Sequence, residues 1–210
     1  MKFQFAVLFV TAITAAASFW DAPYPEELKL QHGPTLLILV GMASSSVWFR
    51  MSNLSFTCII AFLMLHIIGA RWIYSFVPYD KWTDTLFGIE LTQHFGWQRN
   101  HYDRLVHFAS GLLLTPPASE LVQRAGRMRP CAAAVTSIAV VLAVGAIYEI
   151  LEWQIATFFS PAAAESYNGQ QGDVWDPQKD MALAWFGAVI AAVIVFRCSF
   201  DPIKGQSVSS

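Results

Sequence analysis

Apolar residues are grouped in six long runs that short polar stretches separate. A membrane span needs roughly 20 mostly apolar residues, and backbone polar groups inside lipid must be satisfied within a helix. The pattern therefore predicts an all-α, polytopic membrane helix bundle of about six transmembrane helices. The predicted spans are residues 3–20, 33–49, 54–76, 105–122, 131–159 and 181–196. Residues 1–200 would form one domain, followed by a short cytoplasmic tail at 201–210.

The composition supports this class and excludes others. The chain is 55% hydrophobic and 13% charged, with a mean hydropathy of +0.45, whereas soluble domains carry about 25% charged residues. The first run could alternatively be a cleaved signal peptide with Lys2 as its basic region. The chain has no nucleotide-binding or hydrolase motif and no basic patch suited to nucleic acid, so the expected partner is the lipid bilayer.

The basic residues predict an orientation. Arg124, Arg127 and Arg129 share one short loop after the fourth span, which favours both termini in the cytoplasm and the acidic loops outside. The segment 77–104 is too polar to span but rich in aromatics, so we expect an outer interfacial or re-entrant segment. Pro116 and Pro117 should kink or break the fourth helix.

Apart from those at the cytoplasmic helix ends, the ionisable residues in or beside the spans fall towards the outer side in this orientation. They occur at the entrance to the fourth span, within the fifth and just before or at the start of the sixth. Asp103 and His107 are four residues apart, so they share one helical face. Charged groups in membrane segments usually face a bundle interior and mark function. The predicted ligand-binding residues are Asp103, Arg104, His107, Glu149, Glu152, Asp173, Asp176 and Asp180.

Carboxylates with one or two imidazoles suit several divalent metals, so a divalent cation is a candidate cofactor without its identity being diagnosed. The candidate metal ligands are His107, Glu149, Asp173, Asp180 and His66. If the site is catalytic, Glu149, Glu152 and His107 are the candidate acid–base residues.

Several of these residues also have purely structural interpretations. Asp176 precedes Pro177, as an N-cap aspartate does, and Asp103 could likewise stabilise a helix start. Arg104 and Lys179 could extend to lipid headgroups. His66 could be a packing histidine. Glu149 lies in apolar "AVGAIYEIL" with no helix end beside it, so these interpretations do not account for it.

Three blocks resemble a known family. "NHYDRLVHFASGLLL", "YEILEW" and "QGDVWDPQKDMALAWFGAVI", in this order, resemble the YjdF-type bacterial inner-membrane proteins. The resemblance covers nearly the whole chain and implies a multi-pass inner-membrane protein, but that family has no established activity. More loosely, the order "D-R-x-x-H-F", then a mid-helix Glu, then an Asp opening the last span resembles the VanZ-like membrane proteins, which are associated with tolerance to a glycopeptide antibiotic. The family pattern falls on Tyr102, Asp103, Arg104, His107, Glu149, Glu152, Trp153, Gly172, Asp173, Trp175, Asp176 and Asp180.

Four functions remain open from the sequence. The first is an outward-facing site that binds a polar lipid headgroup, a cell-envelope precursor or a divalent cation. The second is an outer-leaflet hydrolase or transferase that uses a Glu/His site. Transport ranks behind these because the inner halves of the spans are apolar. The fourth is a structural assembly factor in which the charges lock helices together.

Overall fold

The computed structural model describes residues 2–159 and 169–199, and every regular element in this part of the chain is a helix. The predicted all-α class is therefore confirmed. The helices are α1 (Lys2–Ala17), α2 (Pro25–Trp48), α3 (Asn53–Arg71), α4 (Tyr79–Phe87), α5 (Leu91–Phe95), α6 (Tyr102–Arg124), α7 (Pro130–Phe159) and α8 (Asp176–Ser199).

Three of the described helices are long and apolar enough to cross a membrane, namely α3, α7 and α8. The helix α1 is apolar but shorter, at 16 residues. The helices α2 and α6 have 24 and 23 residues, with charged or proline-containing turns that lower their apolar content. The structure is thus a helical membrane bundle, while the count of six spans and the cytoplasmic location of the termini remain predictions.

The helix α6 lies at the centre of the bundle and packs against α3, α7 and most extensively α8. Small residues permit this close approach. A Cβ atom on Gly111 of α6 would overlap the backbone carbonyl of Ala184, and one on Gly187 of α8 would overlap the carbonyl of Phe108. The two helices are therefore held nearly backbone to backbone.

This contact continues directly into the predicted site. Along α6, Asp103 and His107 precede Gly111 at intervals of four residues, so they lie on the face that meets α8. Along α8, Asp176 and Asp180 precede Ala184 at the same interval. The close α6–α8 contact therefore brings these polar side chains together.

The third predicted span is shorter than expected, because α3 ends at Arg71 rather than continuing to residue 76. Ile73 and Tyr74 have positive φ angles, and the Tyr74 N–H donates to the Gly69 carbonyl at 2.8 Å. The Tyr74 ring lies over Gly69, where a Cβ would be 2.6 Å from the ring. Glycine at position 69 thus allows the chain to fold back, which hydropathy alone does not indicate.

Two other expectations concern α6 and the segment before it. The helix α6 continues through Pro116 and Pro117 to Arg124, so the alternative of a broken helix was wrong. In the segment 77–104, the short helices α4 and α5 expose large apolar side chains, including Phe87 and Phe95. Their interfacial location remains a prediction.

Candidate functional site

The polar cluster forms where the first two turns of α6 and α8 meet the C-terminal half of α7. The helix α6 contributes Asp103, Arg104 and His107, and α8 contributes Asp176 and Asp180. Glu149 reaches the cluster from α7, and Asp173 from the turn before α8. The cluster divides into two halves with different partners.

In the ion-paired half, arginines from the α6 side hold carboxylates at the start of α8. The Arg99 guanidinium donates to both oxygens of Asp176, with Nη2 3.0 Å from Oδ2. Arg104 Nη2 lies 2.6 Å from Asp173 Oδ2 and 3.3 Å from Asp176 Oδ1. Lys179 Nζ also donates to Asp173, at 2.6 Å. Asp176 is therefore an ion-paired residue within the first turn of α8 rather than an N-cap.

These contacts determine the ionisation of the groups outside the predicted spans. The hydrogen bond from Lys179, aided by the Trp175 N–H and Arg104, lowers the pKa of Asp173 to about 2. Burial alone would lower the pKa of Arg99, but the hydrogen bonds and charge of Asp176 raise it above its ordinary value. Asp173 and Arg99 are therefore both charged at neutral pH.

A turn before α8 fixes the position of Arg99. The carbonyls of Gly169 and Gln170 accept from the guanidinium at 2.8 and 3.3 Å. Gln171 pairs with the Asn100 backbone, accepting from its N–H at 2.8 Å and donating to its carbonyl at 3.2 Å. Gly169 has a φ of +69°, and a Cβ there would lie 2.6 Å from Asp103 Oδ2. The positive φ therefore favours glycine at position 169, and a Cβ there would also displace the Asp103 carboxylate.

The acidic half comprises Asp103, His107, Glu149 and Asp180. One ligand atom each from Asp103, His107 and Asp180 lies within 4.8 Å of the others. His107 Nε2 is 3.6 Å from Asp103 Oδ1 and 3.3 Å from Glu149 Oε1. Within residues 2–159 and 169–199, neither Lys nor Arg forms an ion pair with any of these three carboxylates.

Two oxygens of the acidic half are buried without a hydrogen bond. Asp180 is 2% exposed, and its Oδ1 has no hydrogen-bond partner in the described structure. Glu149 Oε1 is also buried without a hydrogen-bond partner, because its contact with His107 does not have hydrogen-bond geometry. Buried polar atoms of this kind are uncommon and call for an explanation such as a bound ion.

Two predicted site residues lie outside both halves. Both ring nitrogens of the buried His66 are engaged, Nδ1 with the Tyr74 hydroxyl and Nε2 with the Gln31 carbonyl at 3.2 Å. This arrangement matches the packing interpretation, and His66 is not grouped with the acidic half. Glu152 is half-buried and lines a separate cleft with Glu149 and Gln170.

Sequence reasoning missed Arg99 as a site residue. It comes three residues before α6 and reaches Asp176 only because the turn at 169–171 folds over it. The available signal was the surplus of acidic residues near the spans, because a basic residue of an adjacent loop is one of the ways to compensate such charges. Lys179, for which only headgroup contact was considered, pairs with Asp173 while its side chain remains 51% exposed.

Comparison with known proteins identifies the family. Residues 3–200 match the family described as predicted membrane protein (DUF2238). The chain belongs to this family. It is 29% identical over 165 residues to inner membrane protein YjdF of Escherichia coli (strain K12), an alignment that covers 78% of this chain and 75% of that protein. No solved structure matches the chain.

These matches confirm the YjdF-type resemblance and the bacterial inner-membrane location, and the chain is a membrane protein. The looser resemblance to VanZ-like proteins is not shown by them. The family description names no activity, so the chemistry of the cluster rests on its own geometry.

Proposed function

We propose that this protein binds a divalent cation in the acidic half of the cluster, on the outer side of the membrane. Asp103, His107 and Asp180 would be ligands, and Glu149 would provide a fourth. One observation carries the proposal: Asp180 Oδ1 is buried without a partner, and Asp180 belongs to a set of ligand atoms within 4.8 Å of one another.

The charge balance supports the same proposal. Asp173 and Asp176 are neutralised by Arg99, Arg104 and Lys179. The acidic half has only His107 as a basic group among the described residues. Carboxylates in a low-dielectric environment must be protonated, paired or bound to a cation, and a divalent ion would neutralise two of them.

A direct test is to count bound ions on the purified protein. Detergent-purified protein would be stripped with a chelator, titrated with Mn²⁺ or Zn²⁺ and assayed by elemental mass spectrometry and thermal unfolding. We expect one ion per chain. We also expect Asp180→Asn to weaken binding at least as much as the loss of a hydrogen-bond partner of a metal ligand does, which is about 10–100-fold. Asp84→Asn, which alters an exposed aspartate on α4, is the matched control.

Two outcomes would contradict the proposal. One is a folded wild-type protein that binds neither ion. The other is an Asp180→Asn variant that remains folded and binds Mn²⁺ as tightly as the wild type does.

The position of Glu149 supports a second candidate function, an outer-leaflet hydrolase. Its Oε1 lies 3.3 Å from His107 Nε2 and has no hydrogen bond, so it could accept a proton. In hydrolysis of an alkyl phosphate, the oxygen of water would form a bond to phosphorus, and the bond between phosphorus and the alkyl oxygen would break. Glu149 would take the water proton and transfer it to the departing oxygen.

Phosphate release from dodecyl phosphate tests this second function. We expect turnover by the wild type and its loss in Glu149→Gln at a Mn²⁺ concentration high enough to saturate the variant, whose affinity for Mn²⁺ the lost ligand would lower. Turnover that persists in Glu149→Gln, or its absence in the Mn²⁺-loaded wild type, would count against a hydrolase of this class.

A further inference from the structure

A cavity of about 140 Å³ adjoins the acidic half and lies among α2, α3, α6 and α7. Asp103 and His107 form part of its wall, so the cavity and the proposed cation site share two side chains. The remaining wall is mostly apolar, with Ser110 and Tyr148 among its polar members. Its apolar members include Ile38 on α2, Leu114 on α6, and Val141 and Val144 on α7.

The lining residues of the cavity extend along α6. Its lining includes Asp103 in the first turn and Leu114 three turns later, a separation of about 16 Å at the α-helical rise per residue. The carboxylate and imidazole lie towards the start of α6, whereas Leu114 and Val141 lie deeper in the bundle. A cavity with one charged end and one apolar end suits an amphiphile better than a wholly polar solute.

The cavity reaches the side of the bundle between α2 and α7. Two of its lining residues, Ile38 on α2 and Val144 on α7, are 37% and 55% exposed. The Tyr148 hydroxyl and Gln31 Oε1, 3.0 Å apart, connect the same two helices one or two turns away. In a membrane protein an opening at this position faces lipid chains rather than water.

We infer that this cavity holds the first carbons of the apolar chain of a membrane lipid, that the rest of that chain extends between α2 and α7 into the bilayer, and that the phosphate headgroup contacts the cation in the acidic half. The headgroup contact rests on the proposed cation site, whereas the chain-binding cavity follows from separate observations. Phosphate is the matching headgroup because a hard divalent ion held by carboxylates completes its coordination with further anionic oxygens. The lipid would enter laterally, between α2 and α7.

The test uses full-length protein in non-ionic detergent and measures adducts by native mass spectrometry. The probes are dodecyl phosphate, dodecanol and inorganic phosphate, each with and without Mn²⁺. We expect saturable binding of dodecyl phosphate with Mn²⁺, and much weaker binding of the other two probes, which lack either the phosphate or the chain.

Two matched variants on α7 test whether the hydrocarbon chain of the lipid lies in the cavity. Val141→Phe fills the cavity at a buried position, while Val135→Phe makes the same change at a residue that is 66% exposed. We expect Val141→Phe to weaken dodecyl phosphate binding about tenfold and to leave Mn²⁺ affinity unchanged. Val135→Phe should bind both as the wild type does.

The outcomes separate this inference from the cation proposal. Mn²⁺ binding without dodecyl phosphate binding overturns the lipid inference and leaves the cation site standing. Chain-dependent binding that Val141→Phe abolishes but Mn²⁺ does not affect supports the cavity and overturns the contact between headgroup and cation, whereas the cation proposal itself fails only if no Mn²⁺ is bound. Equal affinity for inorganic and dodecyl phosphate, or a folded Val141→Phe that binds dodecyl phosphate normally, overturns the lipid inference.

Discussion

Asp176 and Asp180 lie one turn apart on α8 and are almost equally buried, at 1% and 2% exposure, yet their partners differ completely. Asp176 accepts from Arg99 and Arg104. Asp180 forms no ion pair in the described structure, and its Oδ1 has no hydrogen bond. Burial therefore does not distinguish a structural carboxylate from a candidate ligand. The identity of the facing groups does.

The difference arises from the order of residues on the facing helix. Arg99 and Arg104 belong to the turn before α6 and to its first turn, so they meet the start of α8. One turn deeper, α6 presents His107, and one turn deeper again it presents Gly111. The ion-paired half, with its arginines, thus holds α6 and α8 together. The acidic half, one turn deeper, combines carboxylates with one imidazole. Four tests address this difference between the ion-paired and acidic halves.

The largest effect should follow from breaking the ion-paired half. Arg99→Met leaves Asp176 buried beside Arg104 alone, and removing one partner of a buried pair typically costs about 3–5 kcal/mol. We expect a marked fall in the free energy of unfolding, measured by thermal or denaturant unfolding in detergent. Lys81→Met, at an exposed residue of α4, is the control. In the absence of added cation, Asp180→Asn should be no less stable than the wild type. If Arg99→Met were as stable as the wild type, the ion-paired half would not be what holds the helices together.

The next effect concerns the contact that holds both halves together. In Gly111→Ala the added Cβ overlaps the Ala184 carbonyl, so α6 and α8 must separate at a cost of about 1–3 kcal/mol. Gly41→Ala makes the same change where no atom lies within 4 Å. We expect only Gly111→Ala to lower both unfolding temperature and Mn²⁺ affinity. Wild-type behaviour of Gly111→Ala would show that the close contact does not position the site.

Much of this arrangement could be predicted from the sequence, because it depends on helical periodicity. The apolar runs predict the helices, and spacing of four residues places Asp103 with His107, and Asp176 with Asp180. The role of Arg99 could not be predicted, because it depends on a turn at 169–171 that folds across a distant helix start. The early end of α3 likewise depends on Tyr74 packing over Gly69.

The two buried histidines provide a third, smaller test. His66→Gln removes hydrogen bonds to Tyr74 and the Gln31 carbonyl, which should cost about 1 kcal/mol of stability. Because His66 lies outside the acidic half, Mn²⁺ affinity should not change. His107→Gln should show the reverse, with weakened Mn²⁺ binding in calorimetric titration. Equal losses of Mn²⁺ affinity in both variants would mean that the set of ligands proposed here is incomplete.

The smallest effect concerns Asp173, at the exposed edge of the ion-paired half. Its pKa is lowered from 3.8 to about 2, chiefly by Lys179. A carboxyl group with a depressed folded-state pKa stabilises the protein above its unfolded pKa, and that contribution disappears as the pH falls from about 4 to about 2. Asp173→Asn should therefore lower the unfolding temperature slightly at neutral pH and flatten its decline in that acid range. Asp84→Asn serves as the control. Because Lys179 is the principal cause of the lowered pKa, Lys179→Met should reproduce part of the same flattening. If neither variant changed the dependence of unfolding temperature on acid pH, this ion pair would contribute nothing to folding.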